Sequence, residues 1–87
     1  MAEPGIHTVG RVTSYAAARL VARTGATLTA EAITLDYQRW CAEFSYVPLR
    51  DGVFRDELRR LAYRIGMKSE ANDADTIYRD VTIVSTE

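Results

Sequence analysis

One cysteine, one histidine, two prolines and no long apolar run set the first limits on this 87-residue chain. Cys41 has no partner for an internal disulfide, and with only His7 beside it there is no cluster for a structural zinc site. A reducing cytoplasm suits such a chain best. No stretch approaches the roughly 20 apolar residues of a membrane span. The start, MAEPGIHTVGRV, lacks the apolar centre of a secretory signal, so neither export nor membrane insertion is expected. A net charge of −1 argues against a protein that coats nucleic acid through overall positive charge.

What is present is enough to fold. At 47% hydrophobic and 26% charged residues the composition is that of a globular protein and not of a disordered one. The length gives one small domain with a modest core and no room for a cleft between two domains, so a binding role is expected and an enzyme is not. No cofactor is expected. Charge is segregated along the chain. Residues 50–68 carry six basic groups against three acidic ones, a local +3, whereas residues 69–87 carry Arg79 against five carboxylates, a local −4.

Residues 1–8, with Pro4 and Gly5 close together, read as a loose opening segment, and residues 9–87 as the folded domain. From Val9 to Thr24 apolar residues recur at threes and fours, predicting an amphipathic helix stopped by Gly25. Its run Ala16–Ala18 permits close approach and is the expected surface of a homodimer. Ala26, Thr27 and Leu28 are too few for an independent strand but can pair briefly as an edge. Thr29 is a candidate N-cap for a second helix to about Phe44, with Ile33, Tyr37, Trp40, Cys41 and Phe44 as an aromatic inner stripe. Glu31, Asp36, Arg39 and Glu43 are left for solvent. Pro48 forces a turn, and a third helix follows from an Asp51 cap to a Gly66 stop, burying Val53, Phe54, Leu58, Leu61, Ala62 and Ile65. Met67–Glu70 and Thr76–Val84 then read as two strands around the acidic turn Ala71–Asp75. In the second strand Ile77, Arg79, Val81 and Ile83 alternate with Tyr78, Asp80, Thr82 and Val84.

Helix, brief strand, helix, tight turn, helix and β-hairpin is the order of a small α+β winged helix-turn-helix, three helices followed by a β-hairpin. Four groups of residues are also familiar: Tyr37-x-x-Trp40-Cys41, Val47-Pro48-Leu49, Phe54-x-x-x-Leu58 and Ile77-Tyr78-x-x-Val81-x-Ile83. Over roughly residues 9–84 they resemble the small C-terminal winged-helix domain of phage and plasmid primase/helicase proteins. That resemblance implies double-stranded DNA as the partner, bound through the third helix and hairpin. The chain departs from that pattern in having Arg50 where a Ser or Thr cap is usual, an acidic hairpin turn, and no attached primase or helicase domain. Met1 fits a free-standing protein as well as a piece of a longer replication protein.

The third helix carries the main functional signal. Arg55, Arg59 and Tyr63 step four residues apart along one face, with Arg60 and Arg64 beside them, and an arginine fork suits phosphate or a guanine edge. Arg50 and Lys68 flank the helix as candidate phosphate contacts. The plainer reading is a solvated face on which Asp56 and Glu57 pair locally with these arginines. Asp73 and Asp75 would be repelled by phosphate, so the acidic hairpin turn points instead to a protein partner. His7 reads as a solvated histidine, Cys41 as a buried apolar residue, and Asp36 with Glu43 as surface carboxylates. The expectation is therefore a non-enzymatic DNA-binding protein serving replication or transcription. The alternative is a protein-interaction module on the same scaffold, an adaptor or inhibitor.

Overall fold

The computed structural model describes residues 8–71 and 75–84. Pro4, Gly5, His7, Asn72, Asp73 and Glu87, which enter the sequence reading, lie outside the described residues. The element order is α1 (Val12–Arg19), β1 (Leu20–Thr29), α2 (Ala30–Glu43), α3 (Asp51–Ile65), β2 (Ser69–Ala71) and β3 (Thr76–Ile83). The strands form one antiparallel sheet in the order β1-β3-β2. The result is a small α+β domain with three helices and a three-stranded sheet. The N-terminal stretch is tied to the α2–α3 turn, where Val47 N–H donates to Thr8 O (2.8 Å) and Gly10 N–H donates to Val47 O (2.9 Å). Thr8 therefore belongs to the folded part.

The first helix is shorter than its periodicity suggests, and its expected last turn is a strand. Leu20–Thr29 pairs with β3 from Leu20↔Ile83 to Thr29↔Ile77. Val21, Thr24, Thr27 and Thr29 suit a pleated surface, and pairing with β3 outweighs the helical spacing of the alanine-rich run before them. Gly25 does adopt the left-handed conformation (φ 87°), but within a bulge between Ala22 and Thr27 and not as a helix stop. Opposite it Asp80 also has positive φ (60°), and its carboxylate accepts the Gly25 N–H at 2.9 Å. This irregularity shifts the alternation of β3. Tyr78 and Val81, expected on opposite faces, are both buried, while Arg79 is exposed.

Helix α2 begins as its sequence predicts, with the Thr29 side chain accepting from Ala32 N–H at 3.1 Å. It stops at Glu43 because Ser45 takes a left-handed conformation (φ 59°), with Tyr46 N–H bonded back to Cys41 O, before Pro48 is reached. Helix α3 ends on left-handed Gly66, whose neighbour Met67 N–H bonds to Ala62 O. Its N-cap is Arg50, with no side-chain hydrogen bond, and Asp51 lies in the first turn.

The core is aromatic. Tyr37 stacks on Phe54 at 4.0 Å between ring centroids, and Tyr15 meets Tyr37, Trp40 and Phe54 edge-on at 5.6, 5.6 and 6.2 Å. Fully burying each such side chain is worth about 1.5–3 kcal/mol. Ile33, Tyr37, Trp40 and Cys41 are buried as expected, but Phe44 at the frayed end of α2 is 57% exposed, stacking on Tyr46. Val53 and Ile65 are also exposed, because α3 meets the core only along Phe54, Leu58, Leu61 and Ala62. Gly10 lies against this core, and a Cβ added there would come within 2.5 Å of Cys41 Sγ.

Asp36 corrects the largest misplacement. It is 6% exposed, and its carboxylate accepts from Tyr15 Oη (2.8 Å) and from Arg19 Nε and Nη2 (3.2 and 2.8 Å). Burial alone would raise its pKa. The hydrogen bonds from Arg19 and Tyr15, with the arginine charge, outweigh burial and hold it below the usual carboxylate range. Burial and the neighbouring carboxylate push the Tyr15 phenol far above its ordinary value.

Candidate nucleic-acid interface

Helix α3 presents two faces for reasons visible in its sequence. Phe54, Leu58, Leu61 and Ala62 recur at helical spacing and turn inward, which leaves Arg59, Arg60, Tyr63 and Arg64 on the solvent side. Tyr63 is 90% exposed. It lines a shallow depression together with Glu57, Arg60 and Arg64. The exposed phenol thus shares one depression with two arginines and a glutamate. Such a group can meet phosphate oxygens through the arginines and a sugar or base through the ring.

The seven nominated residues fall into three groups. Arg59, Arg60, Tyr63 and Arg64 are brought together in the C-terminal half of α3. Arg59 and Arg60 share one carboxylate, Asp56, at 3.6 and 3.2 Å, on exposed side chains whose pairing is cheap to exchange. Arg50 and Lys68 stand beyond opposite ends of the helix, whose 15 residues span about 22 Å. Among the described residues, Arg50, Arg64 and Lys68 form no ion pair.

Arg55 is different. Its guanidinium lies between Asp51 (3.3 Å) and Asp75 (3.2 Å) and is only partly exposed. Asp75 in turn accepts the N–H of Glu31 in the first turn of α2 (3.0 Å) and of Thr76 (2.8 Å). Burial opposes its ionisation, but these backbone donors and Arg55 hold its pKa below the usual range. One carboxylate thus joins the hairpin to the start of α2 and to α3. Asp75 was expected to project negative charge from the hairpin turn, whereas its charge is turned inward and matched. Asp73, the other carboxylate of that turn, is outside the described residues. The role of Asp75 could not be read from spacing, because its partners lie 20 and 44 residues away.

Arg79, the polar exception on β3, pairs across the hairpin with Glu70 at 2.8 Å, and that contact raises its pKa. Cys41 is buried, which pushes its thiol up in pKa and away from the reactive thiolate. Tyr37, pushed up to about 12 chiefly by burial, donates to Gly10 O and accepts from Leu49 N–H, both at 2.7 Å. Among the described residues no three His, Cys, Asp or Glu side chains gather as a metal site requires, and no helix is long and apolar enough to cross a membrane. No family model matches the chain, and no curated protein or solved structure matches it either.

Proposed function

We propose that the chain is a non-enzymatic, cytoplasmic winged-helix protein that binds double-stranded DNA, an accessory or regulatory factor in phage, plasmid or bacterial replication or transcription. The observation that carries this reading is the solvent-facing group Arg59, Arg60, Tyr63 and Arg64 on the helix that follows α2 across the seven-residue connection 44–50. The sheet order β1-β3-β2, with a hairpin after that helix, supports the winged-helix assignment, as does the resemblance to the C-terminal domain of primase/helicase proteins. In this reading α3 enters the major groove, Arg50 and Lys68 meet phosphates at its two ends, and Arg55 braces the helix from behind. With so few uncompensated cations, affinity is modest for one copy. Two copies on two half-sites, meeting through the Ala16–Ala18 face of α1, would raise it.

The test is binding to a random-sequence duplex of about 20 base pairs across a salt series. Three to five phosphate contacts give a slope of log K against log salt of about −3 to −4.5. No binding at low salt overturns the proposal. A second reading, a protein-interaction module on this scaffold, is favoured by Asp56, which already offsets two of the arginines. It predicts little salt-dependent affinity for any duplex and retention of a protein partner instead.

A further inference from the structure

Two aromatic rings meet in water where α2 ends. Phe44, 57% exposed, lies on Tyr46 at 5.9 Å between ring centroids with the planes 23° apart, and Trp40 backs them at 6.0 and 5.0 Å. A strained residue makes this contact. Ser45 takes φ 59°, a left-handed conformation costly for a side chain with a Cβ, so the chain reverses and its two neighbours come face to face. Tyr46 N–H then bonds to Cys41 O at 2.8 Å and fixes the turn. Burial does not account for the pair, because the Phe44 ring stays mostly in water, with Val9 and Val47 also exposed beside it.

The charges around the rings select a ligand. The parallel bridge Val9↔Val47 brings residues 8–11 beside residues 44–50, and these two segments contain Arg11 and Arg50 and no carboxylate. Neither arginine forms an ion pair among the described residues. Of the acids that flank the second segment, Asp51 holds Arg55 at 3.3 Å and Glu43 lies close enough to Arg19 to help raise its pKa. Exposed aromatic faces beside unpaired arginines suit single-stranded nucleic acid, whose bases stack on the rings while its phosphates meet the cations. A duplex cannot use such rings, because its bases already stack on one another. Arg50 is also the N-cap of α3 and, in the duplex reading, a phosphate contact at that end of the helix. Tyr46 and Arg50 are separated by at most about 14 Å of chain, the length of about four stacked nucleotides of one strand. We propose that the Phe44–Tyr46 pair stacks the first unpaired bases of a strand continuing from the duplex on α3, so that the preferred ligand is a duplex with a single-stranded end. The inference rests on the duplex reading and narrows its ligand.

The test compares, by fluorescence anisotropy on the full chain, a blunt duplex of about 20 base pairs with the same duplex carrying about six unpaired thymidines at a 3′ or a 5′ end. One of the two overhang duplexes should bind about five- to tenfold tighter than the blunt one, the gain from one stacked base. Phe44→Leu keeps an apolar side chain at an exposed position but removes the ring. It should abolish that gain and leave blunt-duplex affinity unchanged, whereas Phe44→Trp, which restores a ring, should keep the gain. Equal binding of blunt and overhang duplexes by the native chain would overturn the proposal and leave the duplex reading standing. An overhang gain that survives Phe44→Leu would overturn it too, by placing the unpaired strand elsewhere. No binding of the blunt duplex at low salt would overturn the duplex reading and this inference with it.

Discussion

Arg19 and Arg60 each face an aspartate, Asp36 at 2.8 Å and Asp56 at 3.2 Å, yet the two pairs do opposite things. The first is sunk between α1 and α2, shares its carboxylate with Tyr15, and is fixed in one geometry. The second stands in water on α3, where its attraction is worth about 0–1 kcal/mol and a passing phosphate can replace the carboxylate. Residue type alone therefore does not separate a structural arginine from a binding one. Burial of the partner does. The interior holds Arg19 in place, while the outer face leaves Arg59, Arg60 and Arg64 available.

The most severe way to break this contrast is Asp36→Ala. It removes the buried carboxylate that Arg19 and Tyr15 share, and a loss of about 3 kcal/mol is expected, visible as a Tm lower by roughly 15–20 °C. A loss under about 1 kcal/mol would put this pair in the same class as Arg60–Asp56. The same carboxylate sets an acid limit. Because its folded pKa is depressed, its stabilisation is fully present above the unfolded value of about 4 and is lost as pH falls from there through the folded pKa. Denaturant unfolding from pH 7 to 2 should show that acid slope in the native chain and a shallower one in Asp36→Ala.

Gly10→Ala probes how little the interior yields. The added methyl meets Cys41 Sγ, and about 2 kcal/mol should be lost, with much of it recovered in the double variant Gly10→Ala/Cys41→Ala. Asp75→Ala lies between the two regions, removing the link from the hairpin to Arg55 and the acceptor at the start of α2. About 1 kcal/mol is expected in a melting experiment, with faster amide exchange at Glu31. The smallest effect on stability, within about 0.5 kcal/mol, belongs to Arg60→Glu/Arg64→Glu. That double variant should nonetheless abolish duplex binding. Unfolding instead of lost binding would show that these side chains belong to the structural class.

Legibility in the sequence follows the range of the interactions. The cap at Thr29, the stop at Gly66 and the buried positions Phe54, Leu58, Leu61 and Ala62 depend on neighbours a few residues away, and spacing revealed them. The strand at Leu20–Thr29 depends on β3, whose paired residues lie 48 to 63 positions later, so its local pattern continued the helix before it. Asp36 looked like a surface carboxylate because Arg19, 17 residues earlier, becomes its partner only after α1 and α2 pack. Tyr15 escaped notice for the same reason, although it is among the most buried residues. On β3 one left-handed residue, Asp80, was enough to place Tyr78 and Val81 on one side. The outward arginines of α3 were legible because a helix face needs only its own sequence.

The bulge between Ala22 and Thr27 also bears on how the chain behaves in a crowded solution. In the order β1-β3-β2 the ten-residue β1 is an edge strand, and a straight edge of that length would offer a continuous row of backbone donors and acceptors to another molecule. Gly25 kinks that row at the register shift between Ala22 and Thr27, and Arg23 places a charge beside the break. The opposite edge, β2, is only three residues long. The sheet thus resists stacking edge to edge into fibres, and restoring a regular β1 would trade that resistance for a stickier, aggregation-prone protein.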